Sequence, residues 1–277
     1  MAINNFIPTV WSETLYQALD GAYVAVRNCN RAFEGAIRGK GDTVKICGIG
    51  PVSVFDYVKN MDMSAPETLS DISRTLIINQ AKAFNFQIDD VDRAQQSPKV
   101  MSEAMRVAAS ALSAAADRYV FSLYAQAQTD NVITEAALTH ENVLDVLIEA
   151  RKKLIAAGVT EHEVVLEVSP DVAAVILKAK ILTADSADEA LESGYIGSFV
   201  GFRVYVSNNI AAVQNGDAVH HKCFARTRRA IAFAEQLSEI DAYRPEKRFA
   251  DAVKGLHLYG AKLVFPAELV VLDLAVA

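Results

Sequence analysis

The chain has 277 residues, 52% hydrophobic and 22% charged, with 34 acidic against 27 basic side chains and a net charge of −7. This composition excludes a disordered or fibrous chain and leaves room for a large core. The acidic balance excludes an all-over nucleic-acid binder, which needs clustered Lys and Arg, and favours solubility at high concentration.

The first 38 residues predict an arm that stands apart. Thr9 is placed to cap a helix, and Trp11, Leu15, Leu19, Ala22 and Val26 recur at helical spacing. Arg27, Asn28, Asn30 and Arg31 end the stripe, and Gly35, Gly39 and Gly41 read as a hinge.

Residues 39–96 predict an extended hairpin. Val44, Lys45, Ile46 and Cys47 lead outward to Gly48 and Gly50, and a polar tip follows over 59–71. Residues 72–88 return as a strand in which Phe84, Phe86 and Ile88 alternate with Asn85, Gln87 and Asp89. A two-stranded hairpin is marginal alone in water. With no partner surface expected in its own chain, it points to a second copy.

Ser97 and Pro98 open the strongest helix signal. Met101, Met105, Ala108, Leu112, Ala115, Tyr119 and Leu123 line one face of an alanine-rich spine. About thirty residues would span about 45 Å. Residues 132–222 then read as an α/β block. Thr139 caps a helix over 140–157 that Gly158 ends, and a buried strand follows over 164–168. Ser169-Pro170 starts a second helix, a polar loop covers 183–193, and 202–206 is again a strand. Strands resume over 229–234, 254–265 and 269–274, with breaks at Pro245 and Pro266. The expected picture is two lobes, one discontinuous over 97–131 and 223–277, the other inserted at 132–222.

No residue set carries catalytic or metal chemistry. Of five histidines (His140, His162, His220, His221, His257), His220 and His221 with Cys223 come nearest a metal site. Neighbours on a strand point to opposite faces, though, and no second ligand pair follows at zinc spacing. Cys29, Cys47 and Cys223 define no disulfide framework and read as free thiols. No Ser or Cys sits in a nucleophile elbow. Gly194 to Gly201 lacks the Lys-Ser/Thr of a phosphate loop and precedes a strand, so it reads as a tight turn. Asp89, Asp90 and Asp92 fail the calcium-loop spacing. Lys222, Arg226, Arg228 and Arg229 form the densest basic patch; without an aromatic platform, it suggests nucleic-acid contact or salt bridges between subunits. Catalytic, cofactor-binding and metal residues are therefore none, and no enzyme is expected. No apolar run reaches the ~18 residues of a membrane span. The amino end lacks the blocks of a signal peptide, which points to the cytoplasm.

Three segments carry a resemblance. Residues 244–262, RPEKRFADAVKGLHLYGAK, with the run through Val264-Phe265-Pro266 and 269–272, resemble the closing segment of tailed-bacteriophage major capsid proteins. Residues 201–209, GFRVYVSNN, look like a strand and turn of that group's axial domain, and 6–12, FIPTVWS, is similar to their amino ends. The resemblance implies an α+β, Hong Kong 97-like capsid fold. Its parts would be an N-arm (1–38), an E-loop β-hairpin (39–96), a peripheral domain with a spine helix (97–131 and 223–277) and an inserted α/β axial domain (132–222). The chain would begin at the arm, with no scaffold-like segment before it. It would form hexamers and pentamers of an icosahedral procapsid with scaffolding and portal proteins, built in the host bacterial cytoplasm. The virion would then enclose double-stranded DNA without sequence-specific binding. Some members cross-link a loop Lys to a distant Asn; neither Lys45 nor Lys59 is assigned that role. Two alternatives remain: an encapsulin-like nanocompartment shell, and a soluble enzyme using the Gly194–Gly201 loop.

Overall fold

The computed structural model describes residues 7–33, 41–49, 71–89, 100–159, 164–179, 195–199, 201–216, 218–247 and 249–277, plus Asp56 and Lys59. Residues 60–70 of the expected hairpin tip, the Ser97-Pro98 cap, the loop over 183–193, Gly35, Gly39, Asp90, Asp92 and His162 lie outside the described residues.

Helix α1 (Ile7–Ala22) begins before Thr9, which is inside the helix and not at its cap. Nor does the arm stand apart. Leu15, Leu19 and Tyr23 are fully buried against helix α2 (Val100–Phe121), whose Met105, Ala109 and Ala116 are buried too. Alanines on α2 let α1 approach closely, and burying each large side chain contributes about 1.5–3 kcal/mol. That gain docks the segment. Helix α2 is the expected spine but shorter than expected. It ends at Phe121 in a 3-10 turn over Ser122–Gln126, so its 22 helical residues span about 33 Å.

Strand β1 (Thr43–Ile49) pairs antiparallel with β2 (Asp71–Ile77), from Thr43↔Ile77 to Ile49↔Asp71. The single return strand expected over 72–88 is in fact two. After Ile78 and Asn79 the chain leaves the hairpin as β3 (Gln80–Asp89). There it pairs with β11 (Ala250–Leu263), which also pairs with β10 (Ile231–Tyr243) to complete a three-stranded sheet. Phe84 and Phe86 pack against the main core. The hairpin root likewise finds its partner at home: Val44, Ile46, Leu76 and Ile78 are buried with Ala232, Ala234, Leu258 and Val264 of the same chain. The expectation of an uncovered hairpin therefore fails for the root and for β3. The apolar positions of β10 and β11 on that face need a cover, and the root supplies it.

A larger mixed sheet holds β4 (Val132–Leu138), β5 (Val164–Val168), β6 (Tyr195–Phe199), β7 (Phe202–Val206), β8 (Ala212–Asn215), β9 (Ala218–Arg226) and β12 (Leu269–Val276). Its order is β4-β12-β9-β5-β7-β6, with β8 beside β9. The pairs β4–β12 and β5–β7 are parallel, and the other pairings are antiparallel. Helices α3 (Val143–Ala156) and α4 (Pro170–Lys178) accompany it. Ser169 accepts the Val172 N–H at 3.4 Å while Pro170 occupies the first turn, the cap read from sequence. Gly158 closes α3 at φ 83°.

The lobe boundary expected between 222 and 223 falls inside β9. Strand β12, assigned from sequence to the other lobe, belongs to this sheet. Val270, Val271 and Leu272 are all buried, so β12 is apolar on both faces, and such a strand fits a central position.

Candidate functional site

The residues singled out for chemistry are dispersed. His220 Nδ1 lies 3.0 Å from Asp273 Oδ1, and the other oxygen of Asp273 takes Lys222 Nζ at 2.6 Å. His221 faces the other way, 3.3 Å from Asp171. Cys223 is fully buried, and burial pushes its thiol up to about 12. The described residues hold no cluster of three or more His, Cys, Asp or Glu suited to a metal ion. Among them, no helix is long and apolar enough to cross a membrane. Gly197 and Gly201, with φ of 140° and 78°, belong to the tight β6–β7 hairpin, and Arg151 closes over Gly201. Asp89 ends β3 opposite Ala250.

The basic patch is not a patch. Arg229 pairs with Glu268 at 2.7 Å, Lys222 with Asp273, and Arg228 is exposed. Arg226 is fully buried. Its Nε and Nη2 donate to the two oxygens of Glu167, each at 2.9 Å. Nη1 donates to the Asn28 carbonyl at 2.6 Å, and Nη2 also reaches the Ala25 carbonyl at 3.0 Å. The expectation of nucleic-acid or inter-subunit contact is thus overturned for Arg226, which is fully buried, while Lys222 is paired with Asp273 of its own chain. Both face carboxylates of their own chain, and Arg226, being fully buried, requires one.

Arg226 marks a junction that the sequence reading missed, where arm, spine helix and large sheet meet. The chain leaves α1 through a 3-10 turn at Val26–Asn28. Asp117 of α2, itself fully buried, accepts the backbone N–H groups of Val24, Ala25 and Val26 at 3.0, 3.0 and 3.1 Å. Asn28 Nδ2 donates to the Val24 carbonyl and to Glu167, at 3.1 and 3.2 Å. Burial raises the Asp117 carboxyl to about 6 against the pull of those N–H bonds, and it raises Glu167 as well. Next along the chain, the Tyr23 hydroxyl donates to Glu235 of β10. That carboxylate also receives Arg31 at 2.7 Å and contacts His257 Nε2 at 2.8 Å. These groups are mutually bonded and, apart from Arg31, buried, an arrangement that fastens segments together.

A family model described as phage capsid protein matches residues 74–272. No curated protein matches the chain. Among solved structures, it is similar to one from Mycobacterium phage Che8, 29% identical over 90% of each chain with a TM-score of 0.68. The capsid of Ralstonia phage GP4 is 11% identical, over 90% of this chain and 86% of that one, with a TM-score of 0.70. The holo-SrpI encapsulin complex from Synechococcus elongatus PCC 7942 is 11% identical, over 86% and 83%, with a TM-score of 0.60. The last two share the fold alone. The matched span runs from the root of the hairpin through the spine helix and both sheets to the middle of β12, and on that ground the chain belongs to the phage capsid protein family.

Proposed function

We propose that this chain tiles an icosahedral shell as hexamers and pentamers, assembles with scaffolding and portal proteins in the host bacterial cytoplasm, and then encloses double-stranded DNA. Membership of the family makes it a major capsid protein whose copies form the shell of a virion, on the α+β, Hong Kong 97-like fold. The observation that carries the rest is the match across the spine helix and both sheets. The net charge of −7 fits enclosure of DNA without sequence-specific binding. No catalytic step is assigned to the chain.

The physical logic favours this role. The buried junction and shared core give each subunit a stiff body, and the hairpin leaves that body from a root fixed on β10 and β11. In this reading the hairpin, with residues 50–70 joining β1 to β2 along the chain, is assigned the contact with a neighbouring copy. Many modest contacts between copies add up to a strong shell, and closed symmetry ends its growth. The encapsulin-like reading rests on shared fold; the contents of purified particles, nucleic acid or protein cargo, separate the two.

Electron microscopy of the expressed protein tests the proposal, with rings or closed shells expected. A chain lacking residues 52–70 should fold yet fail to close shells. Normal closure by that variant would remove the role assigned to the hairpin, and a purely monomeric wild type would remove the shell.

A further inference from the structure

Strand β10 carries the root of the arm and the root of the hairpin on the same five residues, 231–235. Successive side chains of a strand face opposite sides. Ala232 and Ala234 are buried in the apolar cluster of the hairpin root with Val44, Ile46, Leu76 and Ile78. Phe233 and Glu235 lie on the other side, where the Tyr23 ring meets Phe233 edge-on and the Tyr23 hydroxyl donates to the Glu235 carboxylate. The arm takes the edge of this stretch as well. The Asn30 N–H donates to the Ile231 carbonyl and the Phe233 N–H to the Asn30 carbonyl, each at 2.9 Å, so Asn30 stands as a one-residue parallel bridge beside Ala232. Arg31 fastens this end by donating to Glu235 and to Asp20 of α1, each at 2.7 Å. Two residues further on, Phe33 packs against the hairpin-root cluster itself. Residues 23–33 therefore run from the spine helix, where Asp117 holds the turn, to the foot of the hairpin.

We propose that the arm root (23–33) and the hairpin root form one coupled unit, with residues 231–235 of β10 as the shared element: lifting either root loosens the other. The two alanines make the coupling tight. With only a methyl group at each position, the root packs almost directly on the strand backbone, and no long side chain is there to absorb a shift of β10. Close-packed interiors pass such a shift on to their neighbours. Local opening of one root thus removes a surface that the other needs, and two sites linked in this way favour each other's ordered state. The use of this coupling in a shell rests on the contact role proposed for the hairpin: a neighbouring copy that holds α1 in place also steadies the hairpin, and a held hairpin retains the arm.

Hydrogen exchange on the full chain as purified tests this. In the wild type, the amides of 24–30 and those of 43–46 and 74–78 should open together, with one dependence on denaturant. Arg31→Gln, which removes two ion pairs of the arm root, should quicken exchange over 74–78 roughly fivefold. Leu76→Ala in the hairpin root should quicken exchange over 24–30 in turn, because coupling between two sites is reciprocal. Leu154→Ala, fully buried in α3, is the control and should leave both roots unchanged. Separate opening in the wild type, wild-type rates over 74–78 in Arg31→Gln, a one-way effect, or equal quickening by the control would each overturn the coupling. The wild-type measurement decides even if a variant fails to fold. Micrographs judge the shell separately: shells whose roots open independently remove the coupling alone, and monomers whose roots open together remove the shell alone.

Discussion

Gly260 of β11 lies against the backbone carbonyl of Ile77, so close that a methyl group at position 260 would overlap the oxygen. This contact lets the hairpin root cross over β11 before the chain turns into β3. Gly260→Ala should displace the root at a cost of about 1–3 kcal/mol, the range for overpacking. Thermal unfolding at fixed protein concentration would show the loss, and micrographs should show malformed shells from a chain that still folds.

The three arginines near the end of β9 should respond very unequally. Arg226→Ala strands Glu167 in the interior and should cost about 3–5 kcal/mol. Arg228→Ala, on the exposed surface, should stay within about 0.5 kcal/mol. Arg229→Ala removes a pair whose arginine is half exposed and should cost about 0–1 kcal/mol. Replacing Arg226 and Glu167 together by methionine should recover much of the Arg226→Ala loss, because no lone charge is left behind. Melting temperatures at one protein concentration rank the series.

Cys29 and Cys223 should resist alkylation in the folded chain. Burial pushes both thiols up to about 12, and only the thiolate reacts. Mass spectrometry after timed treatment with iodoacetamide should find both unmodified at neutral pH until denaturant is added. Rapid labelling of either in native protein would contradict the buried junction.

Tyr119 of the spine helix donates its hydroxyl to Asn79, in the turn between β2 and β3, at 2.9 Å. Tyr119→Phe should cost about 0.5–1.5 kcal/mol. Its signature is local: hydrogen exchange should quicken around residues 77–80 and leave α2 unchanged.

Periodicity made much of the architecture readable. The apolar spacing of α1 and α2, the Ser169-Pro170 cap and the run over 164–168 each state their own element locally. The break between β2 and β3 was hidden because both strands alternate alike and no Gly or Pro stands between them. The placement of β12 depends on pairings with β4 and β9, which no local window contains. The junction was harder still, since Asp117, Glu167 and Arg226 come from separate parts of the chain. A signal did exist: a lone Glu inside the five-residue run VVLEV, and a lone Asp beside the alanine stripe of α2, are expensive unless partnered. The Arg226 cluster misled because adjacency in sequence resembled adjacency on a surface, whereas β9 ends with Arg226 buried and the 3-10 turn that follows exposes Arg228.

Strand β12 sits between β4 and β9, so the large sheet stays split in two until residues 269–276 arrive. Its parallel pairing sets Val271 beside Val132, about half the chain away, and contacts of such long separation are formed slowly. In that interval β4 and β9 offer bare edges to any neighbouring chain, a hazard that grows with the concentration of newly made protein. Slower synthesis should therefore raise the recovery of well-folded subunits without changing the finished particle.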